Sequence, residues 1–444
     1  MKIAIIGGGV AGMFAAIAAS LNKKNEILLV EKNEKLGKKL FISGKGRCNL
    51  TNACDRNEFF KNVVSNPKFL YSAFSKFSNE DLQKIIVDNG CELKVERGKR
   101  VFPVSDKSYD VIDAIKKCLK VKNISILLNT VVKDIKYNDN TFEIILSNNI
   151  NNSSSKQLKS EINLKRSAIK HYYFDKVIIT TGGLAYPQTG STGDGYKFAE
   201  KFGINVVKQS PSLVPYEVLE VDDCKKMQGL TLKNVSIKVF LSDTLKNCLY
   251  SSFGELLITH YGLSGPIILS SSSYIDLSNT GNSKMILSID LKPSLDEKQL
   301  DNRLLREFSG NNKTLKTVLS KLLPSSMIEV FIKRLNNYII YDDNKCTDGI
   351  ENIKCTNINK NTRNAIVNLL KDFRFTITKK RGFDEAIITK GGINVNEIDP
   401  KTMESKKIKG IYFAGEILDV DALTGGFNIQ IAATTGYVAG LSTN

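Results

Sequence analysis

Ile3-Ala-Ile-Ile-Gly7-Gly-Gly9-Val-Ala-Gly12-Met, continuing to Leu28-Leu-Val-Glu31, is the stretch whose reading decides the fold. The apolar run Ile3 to Ile6 leads directly into Gly7-x-Gly9-x-x-Gly12. A small-residue helix pattern follows at Ala15-Ala16 and Ala18-Ala19, and a second buried strand, Ile27 to Val30, ends on Glu31. Strand, glycine turn, helix, strand and carboxylate, in that order, make the dinucleotide-binding βαβ unit. Gly7 permits the tight turn, Gly9 lets the backbone approach a pyrophosphate, and Gly12 lets the helix pack close to the sheet. The helix N-terminus attracts the phosphate charge. Glu31, nineteen residues past Gly12, stands where a carboxylate accepts hydrogen bonds from a ribose diol.

Working outward, 444 residues exceed one ordinary core, so two or three domains are expected. Hydrophobic content of 42% with 25% charged residues fits a soluble globular protein, and no apolar run approaches transmembrane length. The first apolar segment is short and serves as a strand, not as a signal peptide. Eight cysteines, at 48, 54, 91, 118, 224, 248, 346 and 355, are scattered without a CxxC pair, as expected of free thiols in a reducing cytoplasm. Two histidines, His171 and His260, are too few for a metal site, and none is expected. The net charge of +17 favours a polyanionic partner such as RNA; a genome biased towards Lys, Asn and Ile codons would give the same excess.

After the βαβ unit comes an irregular basic segment, Leu36 to Asn52, dense in glycine, expected to lie as a loop against something flat or anionic. Segments around 66–90 and 106–120 read as amphipathic helices, and Ile124–Leu128 and Phe142–Leu146 as strands. The Asn/Ser-rich stretch 147–165 reads as a surface insertion. Val177 to Gly183 is another buried strand entering a glycine turn. Beyond residue 205, alternating segments such as Val235–Val239, Met285–Ile289 and Phe373–Ile377 indicate half-buried antiparallel strands. Between the last two lies a helical block, with Ser294-x-x-Glu297 as its capping signature and Leu300, Leu304 and Phe308 on one face. The expected organisation is a nucleotide-binding domain at 1–204 and 381–444, a β-rich insertion at 205–293 and 341–380, and a helical insertion at 294–340.

The C-terminal stretch narrows the cofactor. A strand runs into Gly415-Glu416, followed by Asp419, Asp421, the Gly425-Gly426 turn, and a small-residue helix through Ala432-Ala433 and Gly436. This supplies a second helix N-terminus aimed at the cofactor. A nicotinamide has no need of it, whereas a reduced isoalloxazine carries negative charge near N1 and the C2 carbonyl that helix N–H groups stabilise. Asp419 or Asp421 is placed to hydrogen-bond a ribityl hydroxyl. FAD is therefore expected over NAD as the tightly held cofactor.

Four segments, Gly44-Lys-Gly-Arg-Cys-Asn-Leu-Thr-Asn52, Arg100-Val-Phe-Pro103, Thr259-His-Tyr-Gly-Leu-Ser-Gly-Pro266 and Phe413-Ala-Gly-Glu-x-x-Asp419 with Gly425-Gly-Phe-Asn428, resemble a flavoprotein family. It is labelled NAD(FAD)-utilising dehydrogenase, or aminoacetone-oxidase-like. The resemblance spans essentially the whole chain. It implies an α/β architecture in which a glutathione-reductase-type FAD-binding Rossmann domain is interrupted by a β-barrel-like domain and a small helical domain. It further implies an oxidoreductase that reduces activated C=C bonds, in oxo-bile acids or in a uridine of large-subunit ribosomal RNA to give dihydrouridine. NAD(P)H would reduce the flavin, which would pass hydride from N5 to the alkene. No second GxGxxG occurs, so the nicotinamide would visit only transiently. Phe427 and Ala422 stand where the family pattern has Tyr and Gly.

The candidate cofactor set is Gly7, Gly9, Ala11, Gly12, Glu31, Lys32, Gly44, Arg47, Asn49, Val132, Gly182, Gly415, Glu416, Asp419, Asp421, Gly425, Gly426, Phe427, Asn428 and Ile429. Arg47 either organises its loop or meets a cofactor phosphate. The candidate proton donors are Cys48, whose cationic surroundings could tune a thiol, and His260, in a turn-rich segment. Each has a plainer reading, as a packed thiol and as a structural imidazole. Three other functions fit the same residues: reduction of a small bile-acid-like enone, amine oxidation with oxygen, and flavin-based redox sensing without turnover.

Overall fold

The computed structural model describes residues 1–121, 123–148, 169–241, 245, 247–277, 284–309, 313–339 and 352–444. The Asn/Ser-rich insertion falls almost wholly on 149–168, outside the described residues, as does Cys346. The chain divides into two compact units, 1–212 with 382–444, and 213–381.

In the first unit a parallel five-stranded sheet is built from β1 (Lys2–Ile6), β2 (Glu26–Val30), β3 (Ile124–Leu127), β4 (Lys176–Ile179) and β5 (Ile411–Phe413), in the order β5-β4-β1-β2-β3. Ile3 to Ile6 pair with Lys176 to Ile179 on one side and Ile27 to Val30 on the other. A strand covered on both faces reads as an unbroken apolar run, and Ile3 to Ile6 are all buried. Helices α1 (Val10–Ala19) and α2 (Phe427–Leu441) lie side by side. A Cβ on Gly436 would sit 2.2 Å from the Ala11 carbonyl oxygen, and one on Gly440 would sit 2.1 Å from that of Ala15. Both contacts advance by four residues in the same direction, so the helices are parallel, and only small residues allow so close an approach.

Strand Val206–Ser212 pairs antiparallel with Ile388–Ile393, through a bulge between Val207 and Ser210. Residues 205–212, expected in the insertion, thus belong to the nucleotide-binding unit: their hydrogen-bond partners lie on the returning chain.

The second unit is a closed six-stranded barrel, in the order Tyr216–Val218, Gly262–Ser264, Cys248–Ile258, Thr231–Phe240, Met285–Asp290 and Phe373–Lys380. Helices Glu297–Phe308, Leu315–Leu319, Ser325–Ile339 and Lys360–Lys371 accompany it. Leu300, Leu304, Phe308 and Leu315 share one apolar core with barrel residues Ile237, Leu287 and Phe375. The helical block is therefore packed on the barrel and is not a separate core. Its cap also differs from the expectation. Asp296, not Ser294, caps the helix: its carboxylate accepts from Gln299 N–H at 2.7 Å, while Gln299 Oε1 accepts from Asp296 N–H at 3.0 Å. Asp296 is the residue immediately before the first helical turn, where a side-chain oxygen reaches the third N–H.

Candidate functional site

The carboxyl ends of β1, β4 and β5 define the site, as strand order dictates in an open parallel sheet. Gly7, with φ of +110°, donates its N–H to the Val30 carbonyl at 2.8 Å and turns the chain into α1. A Cβ at Gly12 would lie 1.8 Å from the Gly7 carbonyl oxygen, so the first helical turn can settle on the strand end only without one. At Gly9, the N-cap of α1, a Cβ would meet nothing within 4 Å. The space above this helix N-terminus is open.

Neither α1 nor α2 has a side-chain cap or an acid in its first turn. Helix N-termini leave N–H groups without intrahelical partners and carry partial positive charge. Ala11 is the second residue of α1 and Gly436 the tenth of α2, yet they touch. The α2 N-terminus therefore lies eight residues, about 12 Å, beyond that of α1 in the same direction. Two uncapped anion-binding ends at that spacing fit a dinucleotide whose pyrophosphate meets α1 and whose flavin ring meets α2.

The glycine-rich segment supports the second end. A Cβ on Gly426 would lie 2.5 Å from the Thr51 carbonyl carbon and oxygen, so the loop is pressed against the start of α2. Thr51 Oγ1 donates to Gln430 Oε1 at 2.7 Å, and Asn52 Nδ2 donates to the Gly425 carbonyl at 3.2 Å. With its amide oriented to satisfy both neighbours, Asn49 accepts from Gly426 N–H at 3.1 Å. Asn428 clamps the preceding loop, accepting from Ala422 N–H at 3.0 Å and donating to the Ala422 carbonyl at 2.7 Å. Phe427 is buried edge-on against Phe59, with ring centroids 5.4 Å apart, and Ile429 packs against the same core. Phe427 thus fills an aromatic cluster beside Phe59.

At the other end, Glu31 is buried and accepts from Gly8 N–H at 2.7 Å, Asn33 N–H at 2.8 Å and Asn33 Nδ2 at 2.7 Å. Lys32 is held by Asp194 at 2.7 Å. Val132 is buried just after Thr130, whose N–H donates to the Glu31 carbonyl at 3.0 Å. A Cβ on Gly182 would meet Ser191 Oγ at 2.9 Å. Gly415 donates its N–H to Thr435 Oγ1 at 2.9 Å and abuts Ala11. Glu416 accepts from Lys39 Nζ at 2.5 Å and from Thr389 N–H at 3.0 Å. The Asp421 side chain is buried, and its carbonyl accepts from Val64 N–H at 2.8 Å.

Burial pushes the Asp419 carboxyl above its ordinary pKa, partly opposed by the Asn66 amide, the Lys390 charge and the Gly391 N–H. Asn66 donates to it at 3.1 Å. Asn66, Thr389, Lys390 and Gly391 escaped the sequence reading. Thr389-Lys-Gly-Gly-Ile393 carried a signal, since two adjacent glycines inside a strand mark a close backbone approach. A Cβ on Gly392 would lie 2.4 Å from the Ile417 carbonyl oxygen. Tyr196 was missed as well. Its hydroxyl is buried with no hydrogen-bond partner among the described residues, and burial, with the Glu416 and Asp419 charges, raises its pKa.

Arg47 and Cys48, adjacent in the loop, have different surroundings. Arg47 is engaged by Glu96 at 2.5 Å and Asp106 at 2.6 Å and stacks over Phe102, so it organises its loop. The guanidinium is thus committed to these carboxylates and not to the neighbouring thiol. Cys48 exposes none of its surface, and burial pushes its thiol up to about 12. It adopts a left-handed backbone, φ +61°, as does Lys45 at +58° and Gly44 at +57°, which holds the loop in a tight, strained shape. His260 is an exposed residue of the second unit, edge-on to Tyr261. Among the described residues, no group of three His, Cys, Asp or Glu side chains could hold a metal, and no helix is long and apolar enough to cross a membrane.

A Rossmann sheet with two uncapped helix N-termini in tandem suits the FAD-dependent oxidoreductase that the family match shows. Residues 1–442 match the family described as HI0933-like protein Rossmann domain, and the chain belongs to that family. It is 30% identical to a ribosomal RNA dihydrouridine synthase of Haemophilus influenzae over 99% of this chain and 97% of that one. It is 28% identical to the Escherichia coli protein of the same name, over 98% and 95% of the two chains. It is also 27% identical to a 3-dehydro-bile acid delta(4,6)-reductase of Clostridium scindens, over 99% and 98%.

Proposed function

We propose that this protein reduces a uridine of large-subunit ribosomal RNA to dihydrouridine, with FAD as the bound cofactor and NAD(P)H as a transient donor. The single observation that carries the reading is full-length similarity to two proteins named for that reaction. The net charge of +17 supports a polyanionic substrate. The bile-acid reductase in the same family supports the underlying chemistry, because uridine and an unsaturated oxo-steroid both present a C=C bond conjugated to a carbonyl.

FAD, when bound, supplies a two-electron hydride exchange. The chain's residues do the rest. The α1 N-terminus and the space over Gly9 receive the pyrophosphate, and Glu31 the adenosine ribose. The α2 N-terminus would steady negative charge on a reduced flavin, and Asp419, held by Asn66 and Gly391, would hydrogen-bond a cofactor hydroxyl. Of the candidate donors, Cys48 is sealed in the core with its thiol pushed up to about 12, which speaks against it.

Deleting the gene and analysing ribosomal RNA by mass spectrometry tests the reading. Loss of one dihydrouridine, restored by the wild-type chain, is expected. An unchanged profile overturns it in favour of the second reading, a small conjugated enone, for which the Clostridium scindens relative speaks.

A further inference from the structure

The hairpin Leu93–Glu96 to Arg100–Pro103 carries three basic side chains within four residues, Arg97, Lys99 and Arg100, at a tight turn where Gly98 and Lys99 are both left-handed. All three are exposed. The turn is tied to the mouth of the flavin site through one amide. Asn52 Nδ2 donates to the Gly98 carbonyl at 3.0 Å and to the Gly425 carbonyl at 3.2 Å, and Ala53 N–H donates to the Lys99 carbonyl at 2.7 Å. Arg100 stands opposite Asn52 in the ladder. The hairpin tip is therefore fixed one side chain away from the turn that starts α2.

Charge at this tip is incompletely neutralised. Lys99 meets Glu58 at 2.7 Å, but among the described residues Arg100 spends only Nε, on the Arg97 carbonyl at 3.0 Å, and lies over the Phe102 ring. Beside the tip, the neighbouring Arg47 is saturated by Glu96 and Asp106, so the carboxylates of this sheet are already occupied. A rigid turn presenting guanidinium groups suits phosphate oxygens, which accept paired N–H donors.

Resting on the ribosomal RNA reading, we infer that the Arg97–Arg100 turn grips the phosphate backbone of the RNA beside the target nucleotide. A phosphodiester held there sets the register in which one base can enter the flavin site. Such contacts position a strand without reading its sequence.

The test measures binding of a large-subunit ribosomal RNA fragment to the FAD-loaded protein across a salt series. Arg97→Gln with Arg100→Gln is expected to weaken binding at least tenfold and to reduce the salt slope by about two, one for each lost phosphate contact. Lys at both positions should restore most of the affinity. Lys23→Gln with Lys24→Gln, the same charge change just before β2 at the opposite end of the sheet, should have little effect. Retention of flavin absorbance reports that each variant is folded. Equal losses in both pairs would mean only diffuse attraction and would overturn the assignment, as would unchanged binding in the arginine pair. The RNA reading fails separately, if the deletion strain keeps its dihydrouridine.

Discussion

Gly436 lies against Ala11 so closely that a single added methyl would stand 2.2 Å from the Ala11 carbonyl oxygen. That contact fixes how far α2 slides along α1, and so fixes the spacing of the two N-termini. Gly436→Ala gains helix propensity but must push the helices apart. Overpacking of this kind costs about 1–3 kcal/mol, more than the roughly 0.5–1 kcal/mol that alanine returns. A lower unfolding midpoint together with weaker FAD retention is expected. An unshifted midpoint would show that the helices are not in this register.

Gly9→Ala should separate stability from cofactor binding. The residue has φ of −76°, which alanine adopts freely, and its Cβ would enter open space. FAD-free protein is expected to gain about 0.4–1 kcal/mol from the stiffer unfolded chain. FAD affinity should fall by tenfold or more, about 1.4 kcal/mol, because the methyl occupies the pyrophosphate's approach. Titration calorimetry alongside denaturant unfolding checks both signs.

Cysteine labelling tests the placement of Cys48. Its thiol, pushed up to about 12 by burial, carries almost no thiolate at pH 8 and has no exposed surface. Peptide mapping after alkylation should find Cys248, the exposed cysteine among the described residues, modified early, and Cys48 only on unfolding. Rapid native labelling of Cys48 would restore it as a candidate proton donor.

Acid stability of the second unit should depend on Asp223. Burial pushes this carboxyl up, but hydrogen bonds and charge from Lys333 and Arg334 outweigh burial and hold it below its ordinary pKa. Arg334 Nε donates to it at 2.8 Å while the guanidinium lies 4.0 Å over Phe373. With the folded value depressed, the contribution is present above about pH 4 and is lost as pH falls through the folded pKa. Asp223→Asn leaves the guanidinium uncompensated, for an expected loss of about 3 kcal/mol at pH 7 and a flatter acid limb. Urea unfolding at several pH values reads both.

The parts of the fold that the sequence made legible are those written in local pattern. A glycine turn between two apolar runs and Glu31 at its distance specify the βαβ unit, and Leu300, Leu304 and Phe308 specify one helix face. Pairings between distant segments were not written there. Nothing local ties Val206–Ser212 to Ile388–Ile393, and no periodicity reveals that six short strands close into a barrel. The glycines of the two turns were visible, but the Asn66 and Gly391 partners of Asp419 come from a loop and from strand Ile388–Ile393, segments far apart in sequence. Adjacency in sequence does not place the Cys48 thiol beside the Arg47 guanidinium. The backbone is right-handed at Arg47 and left-handed at Cys48, and the two side chains part, one outward to Glu96 and Asp106 and one into the core.

The central claim is that one FAD spans the two uncapped helix starts at Gly9 and Gly426. Flavin content of the purified chain, from its visible absorbance and from chromatography of the cofactor released on denaturation, tests it most directly. One FAD per chain is expected, with Gly9→Ala reducing occupancy; a colourless chain that takes up no added FAD would contradict the account.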